Sequence, residues 1–341
     1  MNIEELFAPS NSRTFIVAEI GANHNRSLPL AKEMIDAAAE AGADAAKFQI
    51  YSAPTLYSAK NDKSLEYDGA GLSELIKSVE TPRDWLPELS EYCKKKKVAF
   101  FATPFDMAAV DELDPVSELF KIASFEIVDL PLIRYAASRG KPMIIATGLA
   151  NMGEIEDAYN ACAEQGNDKI AFLQCVSCYP ASASIMNLRS MDTIKRAFGT
   201  AVGLSDHTLG IHISLAAVAL GASVIEKHFT MDRRMKGPDH PFAIEPDELK
   251  AMARQIREIE SALGDGFKRG PDASEMEMYS MARRSVHAVK DIAEGARISE
   301  DMLICKRPGH GILPKHLDWV IGRRASRDIS ADSWITMDML D

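Results

Sequence analysis

From Phe15 to Leu263, short and continuously apolar runs alternate with longer amphipathic segments rich in alanine. The runs are Phe15–Ile20, Ala45–Ile50, Val98–Thr103, Leu119–Ser124, Met143–Thr147, Ile170–Val176, Ala201–Leu204 and Ala222–His228. Strand-length runs without polar alternation belong to a parallel sheet covered on both faces. The segments between and after them, near Pro29–Ala41, Arg83–Lys95, Met107–Leu113, Leu132–Ser138, Gly153–Ala163, Leu188–Ala197, Ile211–Leu220 and Pro246–Leu263, have helical length and spacing. Eight strand–helix units over roughly 250 residues predict a closed (β/α)8 TIM barrel. An open, doubly wound sheet would want G-x-G-x-x-G after its first strand. The chain has Gly21-Ala-Asn-His-Asn-Arg26 there, with a single glycine.

Two stretches break the alternation. Ser52–Thr81, with Tyr57, Asn61 and Tyr67, separates the second strand from its helix, and an insertion of that length is expected to be a functional lid or to lack fixed structure. After Leu263 the pattern stops. Residues 1–263 are therefore expected to form the barrel, 264–281, with Gly264, Gly266, Gly270 and Pro271, a linker, and 282–341 a small β-rich domain with strands Ser285–Val289 and Met302–Cys305. That last part has few apolar residues, so it is expected to have little core of its own and to dock on the barrel of its own or a partner chain.

At 341 residues the chain can bury a large core. Its net charge of −11 and pI near 5.3 exclude an extended basic face, and with it a nucleic-acid partner. The one dense basic run, Lys94–Lys97, closes a helix, where lysines favour the negative end of the dipole. No apolar run reaches membrane-spanning length and the N-terminus lacks a secretory series, so a cytoplasmic protein is expected. Five scattered cysteines form no disulfide framework, and Cys175-Val-Ser-Cys178 closes a strand, which favours a structural role.

Chemistry in such a barrel sits at the carboxyl ends of the strands, and these ends are rich in polar residues. They offer Glu19 and Asn23, Lys47 and Gln49, Thr103, then Lys121, Ser124 and Glu126, Thr147, then Gln174, Ser177 and Tyr179, Ser205 and His207, and Glu226 and His228. The last two strands each run into a histidine. Adjacent parallel strands would bring His207 and His228 to one rim with Asp206, Glu226 and Asp239 nearby, a metal-site arrangement that can polarise a carbonyl. Mn²⁺, Mg²⁺, Zn²⁺ and Co²⁺ all suit it. Lys47 and Gln49 share a face, and a lysine inside a barrel needs an anion or a carboxylate partner. Two interior lysines among the hydroxyls of Thr103, Ser124 and Ser205 suit a phosphate or carboxylate; the alternative is ion pairing with Glu19 or Glu126.

The strings AEIGANHN at Ala18, AKFQ at Ala46, ATPFD at Ala102, FKIAS at Phe120, ATGLAN at Ala146, CVSCYP at Cys175, GLSDHTLG at Gly203, EKHFT at Glu226 and GPDH at Gly237 resemble, in order, the sialic acid synthase family. KRPGHGI at Lys306 resembles the antifreeze-like (SAF) domain that ends those enzymes. The resemblance implies condensation of phosphoenolpyruvate with an N-acetylhexosamine to a nine-carbon 2-keto-3-deoxy acid and phosphate. It implies that His207 and His228 bind Mn²⁺ or Mg²⁺, and that Lys47, Thr103, Lys121, Ser124 and Ser205 contact phosphoenolpyruvate. Gln49, Tyr179, Ser177 and Glu126 would line the sugar site, Glu19 and Asp239 would bind sugar and move protons, and Arg307 would reach the sugar from the partner in a domain-swapped homodimer. Ser177 resembles the legionaminic and pseudaminic acid branches, whose substrates are 6-deoxy diacetamido sugars, more than the N-acetylneuraminate branch, which takes N-acetylmannosamine. The sequence that follows GPDH, from Pro241, resembles the neuraminate and legionaminate types. Two rival classes are a Schiff-base aldolase using Lys121 or Lys47, and a C-terminal binding module on an inactive barrel.

Overall fold

The computed structural model describes residues 3–7, 13–58, 66–67 and 70–341. It divides into two compact units, Met1–Gly264 and Asp265–Asp341. The first is a closed barrel of eight parallel strands: β1 Phe15–Gly21, β2 Ala45–Ile50, β3 Ala99–Pro104, β4 Phe120–Ile122, β5 Met143–Ala146, β6 Ile170–Cys175, β7 Ala201–Asp206 and β8 Val224–His228. Each strand pairs with its sequence neighbours, and β8 closes on β1 with Phe15 opposite Val224 and Glu19 opposite His228. The outer helices are α1 Leu28–Ala41, α2 Leu86–Lys96, α3 Met107–Leu113, α4 Leu130–Ala137, α5 Met152–Ala163, α6 Ser190–Phe198, α7 His212–Ala219 and α8 Pro246–Leu263. The barrel expected from the apolar alternation is therefore found.

Helix ends follow local chemistry. α1 starts behind Ser27, whose hydroxyl accepts from the Leu30 amide, and stops where Gly42 takes φ +90°. Asn151 with Glu154, and Glu245 with Glu248, form reciprocal caps on α5 and α8. The expected start of α2 at Arg83 is instead a turn of 3₁₀ helix, Arg83–Trp85, ahead of Pro87.

Side-chain alternation inside the barrel sets up the site. The inward files begin apolar and end polar: Val17 then Glu19, Ala45 then Lys47 and Gln49, Phe101 then Thr103, Leu119 then Lys121, Val224 then Glu226 and His228. The apolar layer, with Phe15, Ile144, Ala171 and Leu173, fills the amino-terminal end of the barrel, and Ile3 and Leu6 pack against it. The outward residues form the larger core beneath the helices. Gly203 in β7 has no room for a Cβ, which would lie 2.3 Å from the Val224 carbonyl oxygen, so β7 and β8 approach closely.

The insertion after β2 carries short helices, Ala53–Leu56 and Leu72–Val79, and a two-residue antiparallel pair, Glu66–Tyr67 with Ala70–Gly71. Asn61 and the side chain of Tyr67 lie outside the described residues. No helix of the described residues is long and apolar enough to cross a membrane.

The second unit contains α9 Met276–Ala282 and the antiparallel pair β9 Ser285–Ala288 and β10 Leu303–Lys306. It takes in most of the stretch expected as a linker. The expectation of little core is corrected: Val286, Ala288, Ile292, Ile298, Ile312, Val320, Ala325, Ile329, Ile335 and Leu340 form a buried apolar cluster. Single bridges such as Ile292 to Ile329 and Ala325 to Leu340 fold these residues over one another, and such bridges leave no periodicity in the sequence.

Candidate active site

The polar ends of the inward files surround a cavity of about 550 Å³. Of the residues singled out in the sequence, Glu19, Lys47, Gln49, Thr103, Lys121, Ser124, Glu126, Tyr179, Ser205, His207, His228 and Asp239 line it. Arg307 lies in the second unit, directly after β10, where it is exposed.

A buried charge cluster forms the floor. Lys47 Nζ lies 2.8 Å from Glu19 Oε2 and 3.6 Å from Glu226 Oε1, and Lys121 Nζ lies 3.8 Å from that same Glu226 oxygen. Gln49 donates to Glu19 at 2.6 Å, Ser205 to Glu226 at 3.3 Å, and Lys47 to the Thr103 hydroxyl at 3.3 Å. The lysines are thus both ion-paired and exposed to the cavity, with Glu226 rather than Glu126 as the shared carboxylate. Burial would lift Glu226, but Lys121 and Lys47 outweigh it and hold it low. Burial dominates at Glu19 and raises it against the pull of Lys47, so Glu19 is the carboxylate of this pair that holds a proton more readily. Burial likewise depresses Lys121. The two ammonium groups, which share Glu226 between them, are the groups of the floor that can meet an anion.

Past the end of β5, at Gly148, three groups converge. Gly148 donates its backbone N–H to Ser124 Oγ at 3.0 Å, and a Cβ on Gly148 would lie 2.7 Å from that oxygen and 2.5 Å from Ser177 Oγ. The Ser177 hydroxyl is buried without a partner. Ser177 therefore sits against Ser124 and Gly148 and is not among the residues that line the cavity with Gln49 and Tyr179.

His207 and His228 stand on the neighbouring ends of β7 and β8, with ring centroids 5.4 Å apart. His207 donates from Nδ1 to the Val176 carbonyl at 2.9 Å, which leaves Nε2 as the lone-pair nitrogen. His228 is held well below the usual imidazole range by burial and by nearby cations, and its Nδ1 is buried without a hydrogen bond. Tyr179 and Phe242 enclose the pair, with Tyr179 4.3 Å from the His207 ring and Phe242 5.0 Å from that of His228. Asp239 Oδ2 is 3.5 Å from His228 Nδ1. Burial and the Glu19 charge push Asp239 up to about 7. Two adjacent imidazoles, one oriented by a carbonyl and one with an orphaned nitrogen, fit the role of ligands to a divalent cation with open positions. Among the described residues no cluster of three or more His, Cys, Asp or Glu side chains is close enough to hold a metal, so further ligands would be water or substrate oxygens.

Several polar residues at strand ends serve the backbone instead. Asn23 donates to the Phe229 carbonyl, Thr147 to that of Leu173 and Gln174 to that of Met186. Asp206 faces outward, paired with Lys227, and does not join Glu226 and Asp239. Two features had no clear sequence signal. Cys175 lines the cavity, its Sγ 3.8 Å from His207 Nδ1; its place in an inward file two residues past Leu173 could have pointed to it. The second is an apolar outer wall, with Tyr51, Leu56, Leu75, Ile76, Val79 and Phe105, drawn largely from the insertion after β2.

Glu126 lines the same cavity, and burial pushes it up to about 7 against the pull of Lys121. A carboxyl raised from 4.5 to about 7 in the folded state leaves stability intact below 4.5 and removes it as pH rises through 7. Glu126→Gln should therefore be more stable than the parent by about 1–2 kcal/mol near pH 8 and equal to it near pH 4. Urea unfolding at the two pH values measures this; a difference independent of pH would contradict the assignment.

The NeuB family model matches residues 34–268 and the SAF domain model residues 283–341. The N,N'-diacetyllegionaminic acid synthase of Campylobacter jejuni subsp. jejuni serotype O:2 is 43% identical over 331 residues, covering 95% of this chain and 99% of its own. Pseudaminic acid synthase of the same organism is 39% identical over 328 residues, covering 94% of each chain. Among solved structures, N-acetylneuraminic acid (sialic acid) synthetase from Leptospira borgpetersenii serovar Hardjo-bovis, in complex with citrate, is 38% identical with a TM-score of 0.70, covering 78% of this chain and 90% of that one.

Proposed function

The chain belongs to the NeuB family, and from that premise we propose that it condenses phosphoenolpyruvate with a 6-deoxy diacetamido hexose of the legionaminate type. The products are a nine-carbon 2-keto-3-deoxy acid and phosphate. The observation that carries the reading is one cavity in which two lysines and hydroxyls face two imidazoles across a floor that suits an anion, with an apolar wall at its outer edge. That wall favours a deoxy methyl and a second acetamido group over the polyhydroxyl tail of N-acetylmannosamine.

In this reading Lys121, Lys47, Ser124, Thr103 and Ser205 bind the carboxylate and phosphate of phosphoenolpyruvate. His207 and His228 would hold a divalent ion, Mn²⁺ or Mg²⁺, whose chemistry when bound is polarisation of the sugar aldehyde. C3 of phosphoenolpyruvate forms a bond to the aldehyde carbon, and water adds at C2. The C2–O bond to phosphate then breaks, and the bridging oxygen leaves with phosphorus. Asp239, pushed up to about 7, can give a proton to the aldehyde oxygen, and a carboxylate in its ionised form, Asp239 or Glu19, can take one from the water. Gln49, Tyr179, Glu126 and the wall orient the sugar.

A panel of acceptors tests the substrate. Phosphate release with the legionaminate-series sugar should exceed that with N-acetylmannosamine or the pseudaminate-series sugar by about tenfold or more in kcat/KM. Preference for N-acetylmannosamine would remove the role given to the wall. Gly148→Ala forces the Ser124 and Ser177 hydroxyls apart and should cost about a hundredfold in kcat/KM for phosphoenolpyruvate. Unchanged kinetics would show that this corner does not touch the anion.

A homodimer in which the partner's Arg307 completes the sugar site rests on the resemblance. Arg307→Ala would then raise KM for the sugar and leave that for phosphoenolpyruvate unchanged. The depressed Lys121 ammonium also favours a second reading, a Schiff base with a keto acid. Borohydride trapping and indifference to a chelator would select that chemistry.

A further inference from the structure

β7 and β8 point Ser205 and His207, and Glu226 and His228, into the barrel. Between these, each strand places one charged residue on its outer face, Asp206 and Lys227. The two are direct partners in the parallel ladder, which runs from Val224 opposite Gly203 to Lys227 opposite Asp206 and ends there. The histidines are the next residue on each strand.

The pair is 1% and 2% exposed and fully hydrogen-bonded. Lys227 Nζ lies 3.0 Å from Asp206 Oδ2 and donates to the Thr208 carbonyl at 2.6 Å. Asp206 Oδ1 accepts from the amide and the hydroxyl of Thr208, both at 2.8 Å, and Oδ2 accepts from Ser214 of α7 at 2.6 Å. Replacing a buried ion pair by apolar residues is often neutral or stabilising, so the charge pairing by itself is weak evidence of a stabilising role. What the charges add is direction. Lys227 reaches from β8 to the carbonyl of Thr208, and Asp206 reaches to its amide, so the backbone on the far side of His207 is tied both to its own strand and to the neighbouring one. The His207 carbonyl accepts from Ala181 at 2.9 Å and the His228 carbonyl from Ile244 at 2.8 Å, which holds both residues from the loop side.

We propose that the buried Asp206–Lys227 pair is a positioning device that sets His207 against His228 at the spacing a shared divalent ion needs. This rests on the reading of the two imidazoles as metal ligands. Neither Asp206 nor Lys227 touches substrate or ion.

Mn²⁺ titration of the full chain, followed by electron paramagnetic resonance without substrates and paired with melting temperatures, tests it. Asp206→Asn and Lys227→Met each leave one buried charge unpaired and should lower the melting temperature. The double variant should recover most of that loss. Its Mn²⁺ dissociation constant should stay about tenfold or more above wild type, the size of effect seen when groups behind metal ligands are removed. A double variant that recovers both stability and Mn²⁺ affinity overturns the proposal. If the double variant does not fold, Ser214→Ala, which frees one Asp206 oxygen, decides: weaker Mn²⁺ binding at an unchanged circular dichroism spectrum supports the proposal, and unchanged binding overturns it. His207→Ala separates the two levels, since wild-type Mn²⁺ affinity in that variant removes the metal reading itself and this proposal with it.

Discussion

His207→Ala and His228→Ala each lower kcat by about a thousandfold, the ~4 kcal/mol that polarisation of a carbonyl is worth, and leave the barrel folded. The fold is expected to survive because both rings stand beyond the last rung of the β7–β8 ladder, at the mouth of the barrel, and neither belongs to an apolar core cluster. Their loss removes Mn²⁺ dependence together with activity. Steady-state phosphate release with and without added Mn²⁺ checks this, beside a thermal melt. Retention of full, metal-dependent activity in both variants would mean that the imidazoles line the site without serving the reaction.

Lys121→Met is the second large effect, and it falls on binding rather than on stability. The ammonium is 2% exposed, and its carboxylate neighbour Glu226 is shared with Lys47. Removing it leaves Glu226 still paired with Lys47 and takes away a cation that burial disfavours, so stability should change by no more than about 1 kcal/mol. Binding of phosphoenolpyruvate loses a buried cation, and kcat/KM for that substrate should fall by about two to three orders of magnitude, the cost of truncating one member of a buried charge pair. KM for the sugar should change little. Kinetics with each substrate varied in turn separate these outcomes. A change confined to the sugar would place Lys121 on the wrong side of the cavity.

The barrel was legible in the chain because buried parallel strands are apolar throughout, and the runs at Ala45, Met143 and Ile170 start where the strands start. β4 is the weakest case. It spans only Phe120–Ile122 because Ser124–Glu126 turns into a 3₁₀ helix at the rim, and a polar turn after an apolar run looks like more strand. The side on which Lys47 and Gln49 lie could be read from their spacing. That Glu226 lies between Lys47 and Lys121 could not, because it depends on β2, β4 and β8 meeting across the interior of a closed ring. Asp206 shows the same limit. Its position next to His207 in the sequence suggested a place in the site, whereas the two-residue repeat of a strand turns it outward, onto Lys227. The apolar wall comes from a segment with no β/α repeat, and its chemistry became visible only where Leu56, Ile76 and Val79 close over the polar floor.

The proposed reaction couples C–O cleavage of phosphoenolpyruvate to carbon–carbon bond formation in one cavity. Phosphoenolpyruvate labelled isotopically at its bridging oxygen, incubated with the full chain, Mn²⁺ and the legionaminate-series sugar, tests this most directly by mass analysis of the phosphate released. The label should appear in phosphate, and only when the sugar is present. Unlabelled phosphate, or labelled phosphate released at the same rate without sugar, would contradict it.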